Sequence, residues 1–292
     1  MRPVAIIPSL CTLGNLFCGF LAIAYGADAI TELWHLTRPQ GQVELTPATI
    51  AAFHTLFERG AWLIFAANIF DALDGRLARM TRTTSPFGGM LDSIADMVTF
   101  GAAPAFMLKF LFESERLIAE QTFKPKVVLL MCFLYVACAA MRLARFTADT
   151  DDDADSHDFF KGLPSPAAAG FVASGILFFL YLGEGDAPEW LARRRGTFLT
   201  VMLGAMPVLA LLMISHVKYV HVVNRFMRGR RPYTYVAQLV AVLLLLFLVK
   251  EYALVLLCMG YVIVCPLISL GEKIFKRPLW PAGPTPPTGD PT

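Results

Sequence analysis

Apolar residues in this chain fall in long unbroken runs, around 5–26, 58–79, 87–113, 126–147, 165–184, 197–216, 232–250 and 252–271, parted by polar stretches. Each run approaches the roughly 20 residues that a helix needs to cross a bilayer, so the pattern predicts an all-α polytopic membrane protein of about eight transmembrane helices. Six of the runs lie in a core over 1–220 and two more in 221–276. Residues 27–57 carry Trp34, Pro39, Gly41 and Pro47 among mixed polar positions and read as an outward loop with at most a short interfacial helix. The tail at 277–292 is Pro-rich and is expected to be disordered.

Alternating spans sort the basic residues. Arg76, Arg79 and Arg82, then Arg142, Arg145 and Lys161, then Lys218, Arg225, Arg228, Arg230 and Arg231, then Lys273, Lys276 and Arg277 all fall on one side. By the positive-inside tendency that side is cytoplasmic. Arg193, Arg194 and Arg195 stand against it. The first apolar run has no small-residue cleavage site after it, so it is expected to be a retained span.

Composition agrees with the pattern: 56% of residues are hydrophobic and only 16% charged, which places the chain in the membrane class. A net charge of +2 points to no particular partner, and no basic stripe interleaved with aromatics suggests nucleic acid. Cys11, Cys18, Cys132, Cys138, Cys258 and Cys265 sit inside apolar runs without close pairing, as small core residues do.

One stretch breaks the apolar rule. From Phe70 to Gly101 the chain reads Asp71-x2-Asp74-Gly75-x2-Ala78-Arg79-x8-Gly88-x3-Asp92-x3-Asp96. An unpaired carboxylate in a membrane span costs roughly 3 kcal/mol on insertion scales, so something must compensate four of them. As helix, Asp71, Asp74 and Ala78 share one face that Gly75 opens to close approach, and Gly88, Asp92 and Asp96 form a second stripe. Pro86, in the polar link between them, marks a stop and a new start, which makes a helical hairpin with its carboxylates facing one another. Such a cluster is tolerable when cations bind in it, and all-oxygen donors favour Mg²⁺, Mn²⁺ or Ca²⁺ over zinc. Solvated helix ends are the plain alternative.

This spacing matches, at every fixed position, the signature of the CDP-alcohol phosphatidyltransferase family, which the chain resembles. The resemblance implies a membrane enzyme that moves a phosphatidyl group from CDP-diacylglycerol to a small alcohol and releases CMP. Asp71, Asp74, Asp92 and Asp96 would then hold a pair of Mg²⁺ or Mn²⁺ ions, with Asp96 also the candidate base. Asp71, Gly75, Ala78, Arg79 and Gly88 would contact CDP-diacylglycerol.

Three further segments resemble the phosphatidylserine synthase branch of that family. The first span opens with Pro8, Ser9, Thr12, Leu13, Asn15, Leu16 and Gly19 in the branch's order, which makes Asn15 a candidate nucleotide contact beside its plainer reading as an interhelical hydrogen-bonding residue. RLARF at 142–146 is followed by GLPSPAAA at 162–169, and MISHVKY occupies 213–219. Thr147 stands where the branch more often has Asn. Arg142 and Arg145, beyond anchoring the span, could meet the pyrophosphate or a serine carboxylate through the planar guanidinium fork, with Lys161 nearby in sequence. Serine is therefore the expected acceptor; glycerol 3-phosphate or inositol phosphate is the rival within the family.

An ion-coupled transporter is the rival outside it, though the acidic cluster occurs once and not in two related halves. The acidic run Asp149–Asp158 lacks the glycine and terminal Glu of a calcium loop and reads as solvated. The last two spans read as scaffold or as the surface of a homodimer. The expected location is a bacterial-type cytoplasmic membrane, among membrane lipids, with the active site facing the cytoplasm.

Overall fold

The first helix is longer than its apolar run. In the computed structural model, which describes residues 6–37, 46–81, 86–119, 124–149, 159–183, 187–215, 217–220 and 250–275, α1 spans Ile6–Thr37 and α2 spans Pro47–Thr81. Most of the stretch expected as an outward loop, 27–57, is therefore helical. The reason lies in one face of α1: Thr12, Asn15, Ala22, Ala29 and Leu33 recur at helical spacing and are buried, while Asp28 and Glu32 point outward. Those exposed polar residues, together with Pro39, Gly41 and Pro47, gave that stretch the look of a loop. Thr46 then starts α2, its Oγ1 accepting from the Thr49 N–H at 3.3 Å, with Pro47 in the first turn where its missing N–H costs nothing. Phe53, Phe57, Ala61, Ile64 and Ala67 turn the inner face of α2 to the core.

After α2 the chain resumes as one long helix with a change of winding inside it: α3 (Pro86–Asp96), a π-helical turn (Met97–Ala102) and α4 (Ala103–Ala119). Then come α5 (Pro125–Asp149), β1 (Phe159–Lys161), α6 (Ser165–Tyr181), the short α7 (Glu189–Ala192), α8 (Arg195–Ile214), β2 (Lys218–Val220) and α9 (Lys250–Phe275). Helices stand at every expected span except 232–250, which lies outside the described residues apart from Lys250. Among the described residues, four stretches are long and apolar enough to cross a membrane unaided, Ser9–His35, Phe87–Ile118, Pro125–Arg145 and Arg195–Ile214, and Ser165–Tyr181 and Leu257–Ile268 are shorter apolar segments. The protein is an integral membrane protein whose described residues are almost wholly helical. α2 falls short because its apolar middle is bounded by charge on both sides, Glu58 and Arg59 before it and Asp71, Asp74, Arg76 and Arg79 after it.

α1 lies along α2 and crosses α3, the π turn and α4; α5 packs on α8 and the π turn, and α6 on α2, α8 and α9. The centre is filled by Phe57, Ile64, Phe100, Met107, Leu111, Tyr135, Ile176 and Met206, all fully buried. Exposed Phe17, Phe20, Phe133, Leu211 and Leu267 cover the outside, as a lipid-facing surface requires.

β1 and β2 are the departure from an all-helical chain. They pair antiparallel, with Phe160 opposite Tyr219 and Lys161 opposite Lys218. This small clip joins the start of α6 to the end of α8. At the opposite end, Arg195 donates to Glu115 Oε1 at 2.9 Å and stacks over the Phe179 ring at 4.3 Å, while Arg193 faces Glu189 at 3.6 Å. The basic residues that run against the positive-inside tendency thus include two paired with carboxylates, which offsets their charge. The acidic residues 150–158, Arg82, the basic residues 225–231 and the tail 277–292 lie outside the described residues.

Candidate active site

Asp71 and Asp74 sit near the end of α2, one turn apart, and Asp92 and Asp96 lie one turn apart on α3. The side chains reach toward one another across the two helices, so that one carboxylate oxygen from each of Asp71, Asp74 and Asp92 lies within 4.8 Å of the others. Asp96 does not belong to this triangle. Asn15 on α1 donates its Nδ2–H to Asp96 Oδ1 at 3.0 Å, and Thr12, one turn earlier, donates its hydroxyl to Asp74 Oδ2 at 2.9 Å. One buried face of α1 therefore orients a carboxylate on each arm of the hairpin. Thr12 stands in the opening segment, where the sequence assigned it no role; its spacing of three from Asn15 was the available signal.

Two side-chain oxygens in the cluster, Asp92 Oδ1 and Asn15 Oδ1, are buried without a hydrogen-bond partner. A buried oxygen left unpaired costs about 1–3 kcal/mol. Orphaned oxygens beside converging carboxylates are what a hard divalent cation would satisfy, so the donor set fits Mg²⁺ or Mn²⁺. Ser93 offers no nucleophile here, because its hydroxyl donates to the Gly89 carbonyl of its own helix at 3.0 Å.

A guanidinium on α5 stands near the carboxylates. Arg142 on α5 is half-buried and lies within electrostatic reach of Asp96, Asp71 and Tyr261 of α9. It donates from Nη1 to Ser165 Oγ at 2.6 Å. Arg145, one turn on, is exposed at the helix surface. Ser165 is the first residue of α6, and the segment before it is held by the clip: the Gly162 N–H donates to Val217 O at 2.8 Å and the Leu163 N–H to Leu212 O at 3.0 Å. The segments RLARF, GLPSP and MISHVKY, separated by up to seventy residues, are thus one structural unit. Lys161 lies in β1 of that unit, Gly75 and Gly88 lie beside the aspartates in α2 and α3, and the side chains of Ala78, Arg79 and Lys161 fall outside the described residues.

A model of the CDP-alcohol phosphatidyltransferases matches residues 5–202. The chain belongs to the CDP-alcohol phosphatidyltransferase family. Among curated members, a CDP-diacylglycerol–serine O-phosphatidyltransferase of Helicobacter pylori is 30% identical over 222 residues, covering 75% of this chain and 73% of that protein. Proteins with the same description from Mycobacterium tuberculosis and Methanocaldococcus jannaschii are 39% identical over 126 residues and 42% over 107, covering 42% and 37% of this chain and 41% and 45% of theirs. As a family member, this phosphatidyltransferase places its matched region over α1 to the first part of α8, which contains the aspartates, Asn15, Arg142 and Ser165.

Proposed function

We infer that this phosphatidyltransferase transfers the phosphatidyl group of CDP-diacylglycerol to L-serine, yielding phosphatidylserine and CMP. The observation that carries the reading is the division of labour among the aspartates: three converge within 4.8 Å, and the fourth is set apart by Asn15. Asp71, Asp74 and Asp92 would hold a pair of Mg²⁺ or Mn²⁺ ions, whose chemistry when bound is to neutralise the pyrophosphate and the charge that builds on departing CMP. Gly75, Ala78, Arg79, Gly88 and Asn15 border the nucleotide. Asp96 accepts the proton of the serine hydroxyl as its oxygen bonds to the diacylglycerol-side phosphorus. The phosphoanhydride bond to CMP breaks, and CMP leaves with its electron pair. No side-chain nucleophile is required.

Arg142 holds an oxyanion, the pyrophosphate or the serine carboxylate, in a fork pre-set by Ser165, with Arg145 and Lys161 as supporting cations. Serine is favoured over a phosphorylated acceptor because it needs one cation for its carboxylate, whereas a second phosphate would need more. We place the site at the cytoplasmic face of a bacterial-type membrane, in keeping with the basic residues around it, and assign the outer surface of α9 to lipid or to a second copy of the chain. The test is release of labelled CMP from CDP-diacylglycerol with serine, glycerol 3-phosphate, inositol and inositol phosphate offered in parallel. Serine should support turnover; faster release with glycerol 3-phosphate would reject serine as the acceptor.

A further inference from the structure

On the reading that Asp96 is the base, we propose that the π-helical turn immediately after it is a positioning device for that carboxylate, with Thr99 and Tyr135 as positioning residues and Gly19 as the contact that lets α1 hold it. Met97–Ala102 winds with i→i+5 hydrogen bonds between two α-helical segments. One extra residue in a turn rotates the helix on its N-terminal side by about 100° relative to the helix on its C-terminal side, since an α-helix advances 3.6 residues per turn. The direction of Asp92 and Asp96 is therefore uncoupled from the face that α4 presents to the core. If the turn relaxed to α-helix, the aspartates and the core residues Met107 and Leu111 could not both keep their places.

Such turns are rare and persist where tertiary contacts hold them. Here the contacts reach the backbone from both sides. Thr99 donates its hydroxyl to the Asn15 carbonyl of α1 at 3.0 Å, and Tyr135 of α5 donates to the Phe100 carbonyl at 2.9 Å. Thr99, Phe100 and Tyr135 are fully buried. α1 can come this close only because residue 19 has no side chain: a Cβ on Gly19 would lie 2.7 Å from Thr99 Cα, a backbone atom that cannot swing aside. Asn15, one turn before Gly19, then binds both the turn and the residue before it, taking Thr99 on its carbonyl and giving its side-chain N–H to Asp96. Asp96 and Thr99 are thus referenced to one residue of another helix, which fixes the azimuth of the carboxylate.

The experiment compares Thr99→Val, Thr99→Ser, Tyr135→Phe, Asp96→Asn and the double variant Thr99→Val/Asp96→Asn in the full-length protein, with turnover expressed per folded molecule. Thr99→Val and Tyr135→Phe should lower kcat by about tenfold or more, in line with the sensitivity of turnover to sub-ångström placement, while KM for CDP-diacylglycerol and the Mn²⁺ concentration for half-maximal rate stay within about twofold. Thr99→Ser, which keeps the hydroxyl, should restore kcat. The double variant should be no slower than Asp96→Asn alone, because both changes act through one carboxylate. Wild-type kcat in Thr99→Val and Tyr135→Phe beside a slow Asp96→Asn would overturn the positioning role and leave the base in place, as would losses that multiply in the double variant. Wild-type turnover in Asp96→Asn would remove the base itself and the proposal with it.

Discussion

Gly162→Ala is expected to loosen the clip between α6 and α8 and, through it, the fork at Arg142. Gly162 has φ +88°, outside the range that L side chains adopt easily, so a Cβ there costs about 1–2 kcal/mol before any contact is considered. That Cβ would lie 2.5 Å from Met213 O and 2.9 Å from Ser215 O, both backbone atoms at the end of α8. Relief requires β1 to move away, which strains the Gly162–Val217 and Leu163–Leu212 hydrogen bonds, each worth about 1 kcal/mol net. Together these effects come to about 3–4 kcal/mol. At roughly 2–4 °C per kcal/mol for a chain of this class, the thermal midpoint in detergent should fall by about 10 °C. Because Ser165 lies three residues beyond Gly162 and orients Arg142, KM for serine should also rise at temperatures well below that midpoint. Gly204→Ala is the control: its Cβ meets nothing within 4 Å, and a helical Gly→Ala change should be neutral or stabilising by up to about 1 kcal/mol. Gly162→Ala with an unchanged midpoint and unchanged KM would refute both the strain assigned to residue 162 and the role given to the clip.

Arg142→Ala should raise KM more than it lowers kcat, by about 10- to 100-fold, the loss expected for a charged hydrogen bond shared by ground and transition states; steady-state kinetics with both substrates varied decides it, and unchanged constants would return Arg142 to anchoring. A chelator should abolish CMP release, Mg²⁺ or Mn²⁺ but not zinc should restore it, and turnover in metal-free buffer would reject the metal site. Asp71→Asn and Asp92→Asn should weaken metal and nucleotide binding together, whereas Asp96→Asn should keep nucleotide affinity and lose roughly 10²-fold in turnover; calorimetry beside single-turnover rates separates them, and equal loss of metal affinity in all three would make Asp96 another ligand. At the far end of the bundle, Arg195→Met strands the buried Glu115 carboxylate and should destabilise by about 3–5 kcal/mol, seen as a lower thermal midpoint; Glu115→Gln should cost less because a hydrogen-bond acceptor for Arg195 remains.

Much of this protein is legible in its residues alone. Runs such as 126–147 and 197–216 read as membrane helices because a bilayer admits only helices and closed barrels, and an unbroken apolar run of about 20 residues is not the short alternating pattern of a barrel strand. The phased aspartates announce a site for the same reason: low-dielectric surroundings make any uncompensated charge expensive, so their number and spacing carry meaning without coordinates. Local pattern fails where the deciding contact is distant. Residues 27–57 looked like a loop because Pro39, Gly41 and Pro47 stand among polar positions such as Asp28 and Glu32; the helical state of 27–37 and 47–57 comes from the buried faces of α1 and α2 lying together, which no window of sequence contains. Tertiary structure also decided which aspartates form the triangle and which one Asn15 draws aside, since spacing makes all four equivalent and only the crossing of α1 distinguishes them. It brought GLPSP and MISHVKY into one clip and wound the helix after Asp96 into a π turn. Hydrophobic burial and backbone satisfaction act on each segment by itself and can be read in order along the chain, whereas the direction of a side chain depends on the neighbours that folding supplies from elsewhere.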